Sequence, residues 1–375
     1  MSLRKAAGRA VRVSRSFIHR IFPNGRAFVK QGTYLIRRAL YGADASVFTE
    51  RPYELHLELT NLCNAKCIFC PYTLQTRSHE FMTEEVFKKA VADYVDIGGG
   101  SVGLTPIVGD PLIHPKFVEW VRYLRAIQQI DRISVTTNAI LLRRHGVEAI
   151  LNSGLSFIHI SLAGFEEDMY RRIYRNDSYR SVRDGLYELY EANARRSSPI
   201  PIFLNLRPDR PAEEVLSDPD LQPLLRYEPN ISFAGTFSRS GGLITILPPG
   251  MVLEPVTTKP KRKPCASTYS GLMVLSNGNV QVCVCESSVN ADALVVGNIK
   301  EESLLSIWQG ERLRALRASF RNGTLNSNCA RCDRYYEPVD LYTKASSKRA
   351  QISRRRQRGD IVRHSKPILN GSQFE

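Results

Sequence analysis

Apolar and polar positions along this chain follow two rhythms that take turns. The segments Tyr53–Leu59, Ser101–Ile107, Arg132–Thr137, Leu155–Leu162, Pro201–Arg207 and Ile231–Ala234 are short and apolar or two-periodic, as strands are. Between them, Thr83–Ile97, Pro115–Gln129, Leu141–Asn152, Ser178–Arg195 and much of Ala212–Tyr227 carry the longer spacing of helices. Thr83 stands where an N-cap hydroxyl belongs. Glu84 and Glu85 follow in the first turn, where carboxylates meet the positive end of the helix dipole. This alternation predicts an α/β fold with a parallel sheet of βα units. Six units fit a partial (β/α)6 barrel, whose site forms at the C-terminal ends of its strands.

The pattern changes after about residue 240. Gly271–Cys283 alternates around Asn277-Gly278, a strong signal for a tight β-hairpin. Then come Val296-Gly297-Asn298-Ile299, the apolar Leu304–Trp308 and a helix through Phe320. Before the barrel, apolar residues recur at near-helical spacing over 11–22 and 26–41, on either side of Pro23-Asn24-Gly25, which predicts a basic helical hairpin. Ser346–Lys366 has no periodicity and is rich in arginine, which predicts a disordered tail. The expected organisation is a basic helical extension (1–52), a barrel (53–240), a small C-terminal module of hairpin and helix (241–340) and a basic tail (341–375).

Charge sharpens this division. The net charge of +15 comes from the ends: residues 1–40 hold ten Lys/Arg and no acid, and 343–375 hold nine against Asp360 and Glu375. The remaining 33 basic and 35 acidic residues nearly cancel, so the basicity bears on what the termini touch rather than on a substrate. An anionic membrane surface suits the hairpin, with nucleic acid as the second choice. A helical extension packed on the core or an organellar presequence is the alternative reading of residues 1–40. No stretch approaches the about 20 apolar residues of a transmembrane helix, and the expected location is cytoplasmic, peripheral to the membrane at most.

The eight cysteines are clustered, and no secretory apolar region precedes them, a combination that favours metal binding over disulfides. Cys63, Cys67 and Cys70 share one loop just after the first predicted strand. Three thiolates can hold three irons of a 4Fe–4S cluster and leave the fourth open to a ligand, and Phe69 is placed to shield such a cluster from water. Zinc or a buried group of free thiols is the alternative. Cys265, Cys283, Cys285, Cys329 and Cys332 form the second set. Its hairpin cysteines and Cys329-x2-Cys332 knuckle suit structural zinc as well as an iron–sulfur cluster, because spacing alone does not separate the two.

The loop Cys63-x3-Cys67-Ile68-Phe69-Cys70 resembles the cluster loop of the radical S-adenosylmethionine (SAM) enzymes. Further resemblances follow in order at predicted strand ends. Val108-Gly109-Asp110-Pro111 resembles that family's Gly-Gly-Glu-Pro, with Val for the first Gly and Asp for Glu. The resemblance implies that Gly109, Asp110 and Pro111 bind the SAM amino group. It likewise implies that Thr137 and Asn138, ending Ser134-Val135-Thr136-Thr137-Asn138, lie near SAM or substrate, and that Ser161 contacts SAM polar groups. Tyr170…Arg175-Asn176 resembles a Tyr…Arg-Gly run, with Asn for Gly. The second cysteine set resembles the auxiliary-cluster modules called SPASM and twitch. Five cysteines match the one-cluster twitch pattern, with Cys265, Cys283, Cys329 and Cys332 as ligands and Cys285 as the spare.

These resemblances imply an enzyme with a 4Fe–4S cluster open at one iron, SAM, and one auxiliary 4Fe–4S cluster. Members of the family take an electron from an external donor of the flavodoxin or ferredoxin type. They cleave SAM to a 5′-deoxyadenosyl radical that abstracts a substrate hydrogen. A small polar substrate, sugar-like or aminocyclitol-like, and a redox outcome such as dehydrogenation are expected. A peptide-modifying maturase and a non-enzymatic metal-stapled scaffold are the alternatives. No catalytic side chain is identifiable from sequence. Arg207, at a strand end, is a candidate for a substrate hydroxyl or carboxylate.

Overall fold

β1 (Glu54–Leu57) lies inside the sheet, not at its edge, although it comes first. The computed structural model describes residues 51–335 except 53, 257–259 and 286–287, so the predicted N-terminal hairpin and the basic tail lie outside the described residues. From β1 the sheet runs through β2 (Gly100–Leu104), β3 (Ile130–Thr137), β4 (Phe157–Leu162), β5 (Ile202–Leu206) and β6 (Asn230–Phe233), each parallel to the one before. The connecting helices are α1 (Glu84–Asp96), α2 (Phe117–Arg125), α3 (Leu142–His145), α4 (Val147–Leu151), α5 (Glu167–Tyr174), α6 (Tyr179–Ala194), α7 (Ala212–Leu216) and α8 (Gln222–Leu225). The structure thus has the α/β, partial-barrel fold expected from the pattern.

Alternate side chains of each strand point to opposite faces of the sheet. One face packs on the helices: Leu55, Val102 and Ile133 align across strands, as do Leu104, Val135, Ile158 and Ile202, all buried in one core. The other face mixes polar and aromatic side chains. His56, Gly103, Ser134 and Phe157 form one row across it, and Thr136, His159, Phe203 and Asn230 form the next. Ser161, Asn205 and Ser232 form the row nearest the C-terminal ends.

Thr83 caps α1 as expected, its side chain accepting the Val86 N–H. The helix expected over 141–152 is broken into α3 and α4 at Gly146, whose φ of 79° no helix accommodates. Two elements differ more. α5 is an additional helix, and the hairpin does not form a sheet of its own. β7 (Gly271–Val274), preceded by the short α9 (Ser267–Ser270), pairs in parallel with β1. β8 (Asn279–Gln281) and β9 (Val295–Asn298) continue antiparallel, and the described residues make one nine-stranded sheet. The turn is where Asn277-Gly278 placed it, with Gly278 at φ 91° donating its N–H to Leu275 O.

Side chains add to the β1–β7 pairing in binding this extension to the barrel. Glu58, fully buried just past β1, accepts both guanidinium arms of Arg77 at 2.7 and 2.9 Å and the Ser276 hydroxyl at 3.2 Å. Asp93 of α1 accepts the Leu304 N–H at the start of α10 (Leu304–Gln309). α11 (Glu311–Asn322) and the one-turn α12 (Ser327–Arg331) follow, and α12 carries the last cysteine pair.

Candidate iron–sulfur and SAM site

The cysteine loop leaves β1 at the C-terminal end of the sheet and is held by the far end of α5. The last carbonyls of a helix have no partner within it. Here Ile173 O and Tyr174 O accept the Ile68 and Lys66 N–H groups, at 2.9 and 3.0 Å. Arg175 ends the helix in the left-handed region, at φ 48°, and Asn176 then donates to Asn64 O at 2.7 Å. The Tyr170…Arg175-Asn176 run is therefore the fastening of the cluster loop. Sequence reading missed α5 itself, whose signal was Glu166 capping an acidic first turn ahead of Met169, Tyr170, Ile173 and Tyr174.

The three thiols sit close enough to affect one another. Burial pushes Cys63 up to about 12, and the Asp110 carboxylate and Cys70 add to the rise. Burial first, then Cys70 and Cys63, hold the Cys67 thiol well above its ordinary value. Asn138 Nδ2 reaches Cys63 Sγ at 3.8 Å and donates to Asn64 Oδ1 at 2.8 Å. Phe69 makes an edge contact with Tyr174 at 5.8 Å, lies 5.3 Å from Phe237, and has the Arg207 guanidinium 5.6 Å over its ring.

The residues that the resemblance ties to SAM gather at this loop, and each already has internal partners. Gly109, at φ 117°, passes so near the cysteine loop that a Cβ there would lie 2.9 Å from Thr60 O and Leu62 O. Pro111 opens a 3-10 turn capped by Asp110. The Asp110 carboxylate, which the resemblance ties to the SAM amino group, is buried and has three protein donors. It accepts the Leu112 N–H at 3.0 Å, the Thr137 hydroxyl at 2.8 Å and the Asn138 N–H at 2.7 Å. Burial still raises its pKa, although these three donors pull the other way. Asp110 thus fastens the loop after β2 to the end of β3. Ser161 shares a hydrogen with the Tyr174 hydroxyl at 2.7 Å.

The second cysteine set closes around a cavity lined by Cys265, Cys283, Cys329 and Cys332 together with Phe320 and Tyr335. Burial pushes Cys329 up to about 12, and Cys283, Cys265 and Cys332 each add to the rise. The Cys332 sulfur accepts the Arg334 N–H at 3.3 Å. Cys285 is not among the lining residues; its carbonyl accepts from Ser288. Among the described residues, no three His, Cys, Asp or Glu side chains close around a single-ion position. No described helix is long and apolar enough to cross a membrane.

Residues 57–217 match the radical SAM superfamily, and residues 265–333 match SPASM, an iron–sulfur cluster-binding domain. Residues 57–217 therefore form a radical SAM domain, and a SPASM-type domain follows the barrel. The GTP 3′,8-cyclase of Alkaliphilus oremlandii (strain OhILAs) is 31% identical over 145 residues, 38% of this chain and 44% of that protein. The GTP 3′,8-cyclase of Petrotoga mobilis is 31% identical over 136 residues, 35% of this chain and 41% of that protein. The chain spans under half the length of these curated relatives. The crystal structure of Streptococcus suis SuiB bound to precursor peptide SuiA is similar in fold, with a TM-score of 0.57 over 81% of this chain and 75% of that one, at 16% identity.

The radical SAM domain implies a 4Fe–4S cluster and SAM, and the SPASM domain implies auxiliary iron–sulfur binding. The donor sets fit. Three thiols share the first loop and four surround the second cavity. Asn64 Nδ2 and the Tyr170 hydroxyl, beside the first loop, are buried without a protein partner. Such donors suit an anionic, sulfur-rich group.

Proposed function

We propose that this chain is a radical SAM oxidoreductase that abstracts hydrogen from a small polar substrate, sugar-like or aminocyclitol-like, and dehydrogenates it. Cys63, Cys67 and Cys70 hold the first cluster, and Cys265, Cys283, Cys329 and Cys332 the auxiliary one. When bound, the first cluster and SAM supply the radical chemistry of the superfamily. Asn138, Ser161 and Tyr174 shape the polar wall beside the first loop, and Phe69 screens it from water. An external donor of the flavodoxin or ferredoxin type supplies the electron.

The observation that carries the substrate class is a hydrogen-bonded polar array on the inner face of the sheet, toward the C-terminal ends of its strands. His159, Asn205 and Ser232 form a connected array there, with His159 Nδ1 3.3 Å from Asn205 Nδ2 and the Ser232 hydroxyl on Asn205 Oδ1 at 2.5 Å. Arg207 and Ser161 continue this face toward Cys67 and Phe69. Such an array offers donors and acceptors to hydroxyl and amino groups, beside the Phe157 and Phe203 rings of the same face. The curated relatives are named for a reaction on GTP, also a small polar molecule bearing a ribose. The basic termini fit an anionic membrane surface as a tether, read by salt-sensitive sedimentation with anionic vesicles.

The test is anaerobic reconstitution followed by SAM cleavage in the presence of deuterated polyols, aminocyclitols and peptides. Deuterium appearing in 5′-deoxyadenosine from a polyol or aminocyclitol supports the reading; transfer only from a peptide overturns it. Replacing Cys63, Cys67 and Cys70 with Ala should abolish cleavage and leave about four irons, those of a single cluster.

A further inference from the structure

Lys261 lies in a run that reads Lys259-Pro260-Lys261-Arg262-Lys263-Pro264, and such a run ordinarily marks a solvated surface. In the fold it is buried, with 8% of its surface exposed. Its ammonium donates to three carbonyls: Cys329 O at 2.6 Å, Ala330 O at 3.0 Å and Cys332 O at 2.6 Å. An ammonium has three protons, and here three acceptors meet them. Tyr335 covers the same ammonium, its ring centre 5.7 Å away, and also lines the auxiliary cavity.

We infer that Lys261 is a positioning residue for the auxiliary cluster: its buried ammonium clamps the Cys329–Cys332 knuckle and offsets the negative charge gathered in that cavity. The inference rests on the auxiliary cysteines binding iron–sulfur, as read above. Two of the three clamped carbonyls belong to ligand residues. With both ends of the knuckle fixed, the sulfurs keep their aim into the cavity. The Arg334 N–H, two residues past the clamp, stays on Cys332 Sγ. Asn326 completes the frame from the other end of α12 by accepting the Cys329 N–H at 2.8 Å.

The electrostatic half follows from the charges. Four thiolates around a four-iron core leave a net negative group, and one-electron reduction makes it more negative. A cation held in a site of low dielectric one peptide away stabilises the reduced form more than the oxidised one. Lys261 therefore raises the reduction potential of the auxiliary cluster. That makes the cluster a readier acceptor for an electron leaving a substrate radical.

The test uses the full chain with Cys63, Cys67 and Cys70 replaced by Ala, so that only the auxiliary site binds iron. Metal analysis comes first: one zinc and no iron would overturn this inference together with the iron–sulfur reading of that site. With about four irons present, Lys261→Met and Lys261→Arg are compared by iron content and by potentiometric EPR. The inference expects Lys261→Met to retain iron but titrate at a lower potential, and Lys261→Arg to return toward the parent. Loss of iron in Lys261→Met with full loading in Lys261→Arg also supports a charged clamp. Four irons at an unchanged potential in Lys261→Met overturn it. So does equal loss of iron in both variants, which would leave Lys261 a packing residue only.

Discussion

Asp110 Oδ2 accepts the backbone N–H of Asn138 at 2.7 Å, so one carboxylate latches the loop after β2 to the end of β3. The same latch holds the Thr137 hydroxyl and the Leu112 N–H, and it aims the Asn138 amide at Cys63. Asp110→Ala leaves these buried donors without an acceptor. The expected cost is about 1–3 kcal/mol of stability, read as a lower urea midpoint in the metal-free protein. An unchanged midpoint would show that the latch is dispensable and return Asp110 to a role in ligand binding alone.

Gly109 stands beside that latch, and its backbone is usable only without a side chain. Gly109→Ala forces a φ of 117° on an L-residue and drives its Cβ toward two carbonyl oxygens of the cysteine loop. A loss of about 1–3 kcal/mol is expected. Iron at the first site should fall while the auxiliary site still loads. Equal iron at both sites in the variant would contradict the close approach.

The Glu58–Arg77 pair joins β1 to the segment after the cluster loop, and Ser276 ties the hairpin turn to the same carboxylate. Removing one partner of a buried pair strands the other charge, so Glu58→Ala should cost about 3–5 kcal/mol. Replacing both residues by apolar ones should recover much of that. Additive losses in the double variant would show that the two do not act as a pair.

His114 sets a pH dependence. It is buried between Phe81 and Trp120, its Nδ1 accepts the Lys116 N–H at 3.2 Å, and its Nε2 faces Met82 O at 3.3 Å. Only the neutral ring can accept at Nδ1. Burial first, then the Lys116 and His145 charges, hold its pKa below the ordinary 6.5, against the Met82 carbonyl and Glu119, which pull upward. Above 6.5 both states are neutral and the contribution is complete. As pH falls below that value the unfolded chain takes up the proton first, so stability declines until the folded value is passed. The unfolding free energy should fall with pH over that window, by no more than about 1.4 kcal/mol per pH unit, and the fall should flatten in His114→Gln. Parallel slopes in parent and variant would remove His114 from the account.

The barrel was legible because its strands and helices announce themselves locally: Thr83 caps α1 as its type suggests, and Asn277-Gly278 turns the hairpin as its sequence dictates. Where sequence reading failed, the deciding interaction was distant. Nothing within 271–274 says that the strand pairs with β1. α5 is short, and its charged face hides the apolar one. Gly146 breaks a helix that the pattern alone would continue. The cysteines named both centres, but their supports, Asp110 as a latch and Lys261 beneath the knuckle, depend on partners that only the folded chain brings near.

The parallel pairing of β1 with β7 also bears on how the chain comes into being. Glu54 finds Gly271 more than two hundred residues later, so one edge of the first strand has no partner until nearly the whole barrel has left the ribosome. An open strand edge invites other chains. In this protein that edge continues straight into the cysteine loop. The nascent chain therefore presents its first metal-binding thiols on an unfinished sheet, and completing the fold and protecting those thiols become one event in time.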